Sequence, residues 1–175
     1  CSGSFPGPQS PSSCYLVEHD GHRLVLDMGN GSLGALQKVA DIYDIDGVIL
    51  SHLHVDHFID LTSFYVALKY RPDAPAPRIP VWGPPDTGRR LVSAYGLNGS
   101  DMSGQFDVRP VHSEFQVGPF RVRTARMRHP IEANAIRVEA GGRSLTYSGD
   151  TGPHPGLADF ARSSDVALFE ASNRE

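Results

Sequence analysis

The chain has 175 residues, 39% hydrophobic and 21% charged, with a formal net charge of −4. This is the balance of one globular domain able to bury a sizeable core, not that of a disordered chain. No apolar stretch approaches the roughly 20 residues of a membrane span, no basic and apolar leader is visible, and two cysteines, Cys1 and Cys14, are too few for a disulfide framework. A cytoplasmic protein without a membrane partner is therefore expected.

Residues 1–14 are rich in Gly, Ser and Pro and carry neither a helical nor a strand period. Residues 14–17 and 23–27 read as two strands joined at Asp20-Gly21, a hairpin dipeptide. Asp27 then stands at a strand end beside Gly29 and Gly31, either as a turn former or as a carboxylate that orients a ligand elsewhere in the fold. Residues 34–40 have helical spacing, and residues 47–50, Gly-Val-Ile-Leu, form a short continuous apolar run that predicts a strand buried on both faces. A second helix is expected over 58–70, where Leu61, Phe64, Tyr65 and Leu68 recur at helical intervals. Residues 71–80 contain four prolines and read as a linking loop, incompatible with a helix or a central strand. A short strand over 79–83, a helix over 85–95 and a mobile loop over 96–104 beside the site follow. Strands are then predicted over 106–111, 115–117, 119–125, 135–139, 144–148 and 166–169, with a short helix near 157–161.

The chemistry concentrates in Ser51-His52-Leu53-His54-Val55-Asp56-His57, directly after the apolar run. Residues two apart on an extended backbone point the same way, so His52 and His54 can grip one ion together. Asp56 and His57 follow where the chain turns and can face a second ion. Imidazole suits zinc and its neighbours, and a carboxylate adds a hard oxygen ligand. A polar surface cluster that happens to be rich in histidine is the bland alternative, and the density of ligands in a strand-to-loop setting weighs against it. His19, His22, His112 and His154 show no such pattern and are not assigned to a metal.

His-x-His-x-Asp-His after a buried strand resembles the signature of the metallo-β-lactamase superfamily. Asp27, His129 and Tyr147-Ser148-Gly149-Asp150-Thr151-Gly152 match further pieces in the right order. Within the superfamily, residues 147–152 and the opening Cys1-Ser2-Gly3-Ser4 look most like the atypical bacterial cyclic-nucleotide phosphodiesterases and ribonuclease Z. The resemblance implies an α/β (α+β) fold, a four-layer αββα sandwich in which residues 1–175 form a single domain. It also implies a strand before Cys1 and, after Glu175, a helix carrying a substrate-side His and a strand ending in a last ligand His. Two divalent cations are implied, zinc first with manganese or iron as alternatives. His52, His54 and His129 would hold one, Asp56, His57 and Asp150 the other, with Asp150 bridging. The implied reaction is phosphodiester cleavage by a metal-bridging hydroxide that Asp56, as catalytic residue, orients or deprotonates.

Substrate choice rests on charge. Residues 61–129 hold ten Lys/Arg against five Asp/Glu, and the rest of the chain six against fifteen. Parts of this basic stretch are expected to flank the site and steer a phosphate inward. No Lys/Arg-rich, Gly-rich arm of the kind that would grip a folded RNA is visible. The expectation is a small phosphodiester such as cyclic AMP, with precursor tRNA as the alternative substrate and RNA partner. Lactonase, thioesterase or non-catalytic metal binding carry less weight, and a homodimer is the oligomer allowed for.

Overall fold

The computed structural model describes residues 4–72, 77–97 and 101–171. Cys1, Ser2 and Gly3 of the opening motif, and residues 98–100 of the loop expected to be mobile, lie outside that description. The flanks of that loop are fixed: Gly96 ends the preceding helix in a left-handed conformation, and Met102 is buried in the core.

Among the described residues, ten strands form two five-stranded sheets. In the first, β1 (Tyr15–His19), β2 (His22–Leu26), β3 (Gly47–Ile49), β4 (Ile79–Gly83) and β5 (Phe106–Pro110) lie in that order, the β1–β2 hairpin antiparallel and the rest parallel. In the second, β6 (Glu114–Val117), β7 (Phe120–Arg126), β8 (Asn134–Ala140), β9 (Arg143–Tyr147) and β10 (Val166–Leu168) follow one another, antiparallel except for the β9–β10 pair.

Period-two alternation assigns each residue its layer. Leu24, Leu26, Ile49 and Trp82 of the first sheet meet Phe120, Val122, Ile136, Val138 and Tyr147 of the second in a core between the sheets. Their neighbours Val25, Val48, Ile79, Val81 and Phe106 point the other way and are covered by helices. The helices are α1 (Ser32–Leu36), α3 (Asp60–Lys69), whose Leu61, Phe64, Tyr65 and Leu68 are buried, and α4 (Thr87–Tyr95). The far layer is represented among the described residues by α5 (Gly156–Phe160). Arg137 ties it down, giving hydrogen bonds from Nη1 to the Arg162 carbonyl and Ser164 Oγ, both at 2.8 Å. The layers therefore run helix, sheet, sheet, helix, as expected. No helix among the described residues is long and apolar enough to cross a membrane.

Three local expectations are corrected. The first helix spans Ser32–Leu36 instead of 34–40, because Asp60 Oδ2 accepts the Leu33 N–H at 2.9 Å and pins the start from α3. Asp56 and His57, expected in a loop, sit on a short helix α2 (Val55–Phe58), too brief to show a period. Pro80 lies inside β4, between β3 and β5, despite its missing donor. Ile79 N–H bonds toward β5, so alternation aims the Pro80 nitrogen at β3, whose pairing with β4 begins only at Val81.

Candidate metal centre

The donors gather at one edge, beyond the ends of β2, β3, β7 and β9. Asp27 leaves β2 with φ 58°, a left-handed conformation that turns its side chain back into the interior. Its Oδ1 accepts Ser51 N–H, and its Oδ2 accepts from Ser51 Oγ, His57 Nδ1 and Tyr147 Oη, all at 2.7 Å. Ser51 Oγ in turn lies 3.0 Å from His52 Nδ1. With the serine proton committed to Asp27, His52 must donate from Nδ1. In both histidines Nδ1 is thus committed as a donor and Nε2 is turned to the open side, the orientation a metal ligand needs.

On that side the donors converge in two groups that share Asp150. Ligand atoms of His52, His54, His129 and Asp150 lie within 4.8 Å of one another, and so do those of Asp56, His57 and Asp150. His54 Nδ1 faces His52 Nε2 at 3.1 Å and His129 Nε2 at 3.0 Å. Asp150 reaches both groups, with Oδ1 3.2 Å from His57 Nε2 and Oδ2 3.7 Å from His52 Nε2. Asp56 Oδ2 is 3.5 Å from His57 Nε2. All six residues singled out in the sequence are therefore brought together.

Close packing holds the two halves in place. A Cβ on Gly29 would fall 1.8 Å from the Asp56 carbonyl oxygen, and Met28 N–H bonds the His57 carbonyl at 2.7 Å, so the β2–α1 loop presses on α2. Across the sandwich, Asn134 N–H bonds the Ser51 carbonyl at 3.0 Å, and a Cβ on Gly149 would fall 2.8 Å from that of Ser51. Below the second group opens a cavity of about 390 Å³ whose lining includes Tyr15, Asp56, His57, Tyr147 and Asp150.

The electrostatics fit cations. Burial, reinforced by His57, lowers His52 to about 4, and burial lowers His129 as well, so both present neutral nitrogens at pH 7. Burial acts on His57 too, but its bonds to Asp150 and Asp27 prevail and raise it to about 10. Asp150 is lowered against its burial by the His57 hydrogen bond. His54 Nδ1 can carry at most one proton, which cannot serve both His52 Nε2 at 3.1 Å and His129 Nε2 at 3.0 Å. A shared cation resolves that conflict, and the mixed imidazole and carboxylate donors suit zinc and its neighbours. Cys14, its thiol raised by burial to about 12, stands outside both groups.

Sequence reasoning left other participants without a role. Tyr147 belongs to a quoted motif and Ser51 precedes His52, yet both bond Asp27, whose inward turn no local pattern announces. Glu170 follows β10 beside the Asp150 loop. Its Oε2 accepts Thr151 N–H at 2.5 Å and its own N–H bonds Ser148 Oγ at 2.9 Å, which braces the Asp150 loop. His22 is 3.2 Å from Asp46 Oδ1, far from the donors in the fold.

A model of the Metallo-beta-lactamase superfamily matches residues 7–172. The chain belongs to that superfamily. ML1173, an uncharacterized protein of Mycobacterium leprae, is 44% identical over 98% of this chain and 63% of its own length. This chain thus spans a little under two thirds of that relative. Among solved structures, the metallo-beta-lactamase fold protein YhfI of Bacillus subtilis superposes with a TM-score of 0.81 at 23% identity, covering 95% of this chain and 66% of its own. The short form of human tRNase Z gives 0.73 at 18% identity, over 93% of this chain and 72% of its own. At these identities the two structures speak for the fold alone.

Proposed function

We propose that the protein is a two-metal phosphodiesterase that opens a cyclic nucleotide such as cyclic AMP. The observation that supports this is the position of Asp150, one oxygen toward His57 and the other toward His52. A carboxylate shared by two donor groups draws two cations close together, the arrangement suited to phosphoester cleavage. When bound, two divalent cations, zinc by preference, supply Lewis acidity that acidifies water and neutralises phosphate oxygens.

The chain's own residues do the rest. Asp27 fixes the rings of His52 and His57, so the donors need little reorganisation. Asp56 offers Oδ2 beside the same opening, where it orients the attacking water and accepts its proton. Water adds to phosphorus, the bond to one ring oxygen breaks, and that oxygen leaves with the proton that Asp56 took from the water.

Charge pairing favours a small substrate. Within 61–129, Arg89 pairs with Asp86, Arg109 with Asp107, Arg121 with Glu114, Arg123 with Glu139 and Arg126 with Glu132. Much of the basic stretch is thereby compensated at home. A folded RNA needs many uncommitted cations along its phosphates, whereas one phosphodiester needs the metals and little more.

The test is turnover by the intact, metal-loaded protein against cyclic AMP and precursor tRNA over a salt series, with elemental analysis. Two metals per chain and cyclic AMP hydrolysis that falls gently with salt are expected. Cleavage of precursor tRNA with a steep salt dependence, and none of cyclic AMP, would favour the ribonuclease reading. Bound metal without turnover of any phosphoester would favour a binding protein.

A further inference from the structure

A second opening adjoins the metal centre and shares Glu170 with the cavity beneath Asp56. It is a groove of about 580 Å³, within the size range of small-molecule sites, and it is lined by Arg128, His129, Pro130, Gly152, Pro153 and Glu170 among others. His129 belongs to the metal-facing donors, so a ligand held there can extend directly into the groove.

Arg128 differs from most arginines of the basic stretch. Among the described residues its guanidinium has neither an ion pair nor a hydrogen bond, whereas its neighbour Arg126 is 2.9 Å from Glu132. Its backbone is nonetheless fixed: the Arg128 carbonyl accepts Gly152 N–H at 2.7 Å. Its methylenes run along the Asp150 loop, where a Cβ on Gly152 would lie 3.8 Å from Arg128 Cδ. The stem is therefore seated while the head is uncommitted. Opposite in character stands Glu170, with Oε2 committed to Thr151 N–H and Oε1 remaining for a ligand.

This combination selects among ligands. A second phosphate would meet Arg128 favourably and Glu170 unfavourably. A purely apolar group would leave both charges unused. A nucleobase answers both, because its edge carries acceptors for a guanidinium and N–H donors for a carboxylate. Its flat face also matches a guanidinium plane and the proline walls.

We propose that this groove is the nucleobase subsite and that Arg128 is its specificity-determining residue, stacking on or bonding to the base while Glu170 accepts from an N–H of its edge. The inference rests on the cyclic-nucleotide reading, and the experiment separates the two. Metal-loaded intact protein is titrated at equilibrium with 5′-AMP and with ribose 5-phosphate, which shares the phosphate and lacks the base. Wild type should bind AMP roughly tenfold more tightly, the scale of one base contact. Arg128→Ala should erase that advantage while leaving the affinity for ribose 5-phosphate within about twofold. Arg128→Lys, which keeps the charge and loses the plane, should restore less than half of the advantage in free energy.

An equal AMP advantage in wild type and Arg128→Ala, or none in wild type, would overturn the subsite. Full recovery in Arg128→Lys would overturn the planar contact. Cyclic AMP turnover without any AMP advantage would leave the phosphodiesterase reading standing and sink this one. An Arg128-dependent AMP advantage without cyclic AMP turnover would do the reverse.

Discussion

The two donor groups are built from similar ligands and prepared in opposite ways. His52, His54 and His129 face one another as imidazoles, and burial keeps His52 and His129 below the usual histidine range. In the other group His57 is just as enclosed, yet Asp150 and Asp27 hold a proton on it up to about 10. Between His52 and His57 the deciding difference is therefore the carboxylates within hydrogen-bond reach, since burial acts on these two alike. The groups also differ in denticity: four residues converge on the imidazole side against three on the acidic side. A cation should accordingly load the imidazole group first, with the acidic group following more weakly. Calorimetric titration of metal-free intact protein should resolve two steps, and a single step for two equivalent ions would erase the distinction.

The largest effect on that comparison should come from Asp150→Asn. The amide keeps the shape and removes the negative charge shared between the groups. Metal content should fall to one ion or fewer, and turnover should fall by about a thousandfold, the order seen when a key electrostatic group is lost. The metal-free protein should stay folded but melt somewhat lower, because His57 loses one of the two carboxylates that hold its proton. Near-native turnover with two bound ions would remove the shared role of Asp150.

Gly29→Ala should rank next, because it strikes the acidic group alone. The new methyl would meet the Asp56 carbonyl oxygen at 1.8 Å, and that contact is backbone, so α2 has to move. Overpacking of this kind costs about 1–3 kcal/mol, or several degrees of melting temperature for a chain of this size. The second ion should be lost while the imidazole group still fills, a pattern that metal analysis together with thermal melting distinguishes from general unfolding.

How much of this was legible beforehand varies by residue. The strand over 47–49 and the pair His52 and His54 follow from an apolar run and a period of two, and both are where that reasoning put them. His129 and Asp150 carry no local signal strong enough to place them. Only the family resemblance joined them to the motif, because their approach depends on how β7, β8 and β9 cross the sandwich. The helical turn under Asp56 and His57 was missed because four residues show no period and tertiary bonds from Met28 secure it. The start of α1 was misjudged for the same kind of reason, since Asp60 fixes it from another helix. The basic stretch was read correctly as charge and incompletely as chemistry, because sequence does not show which arginines are already paired.

Two smaller substitutions sharpen the comparison from behind the ligands. Tyr147→Phe removes one of the hydrogen bonds to Asp27 Oδ2, in direct competition with His57 Nδ1 for the same oxygen. Asp27 then keeps His57 but loses a fixed donor that holds its carboxylate in place. Loss of an outer partner of this type costs about 10- to 100-fold in metal affinity, and it should fall on the second, acidic step of the titration. An equal loss on both steps would mean that Asp27 does not divide its influence as the distances imply.

Ser51→Ala makes the complementary cut and should have the smallest effect. The Ser51 hydroxyl links Asp27 to His52, at 2.7 Å and 3.0 Å. Without it, His52 Nδ1 loses its acceptor and the ring is free to change tautomer, which takes Nε2 away from the cation for part of the time. His57 keeps its own bond to Asp27, and the Ser51 backbone N–H still reaches Oδ1 at 2.7 Å. The first step of the titration should therefore weaken by about tenfold, the low end of such outer-partner losses, because His54, His129 and Asp150 remain in the group. The second step should stay put. A shift confined to the second step would show that Asp27 acts on His57 through Ser51 as well, and the two groups would then have to be treated as one.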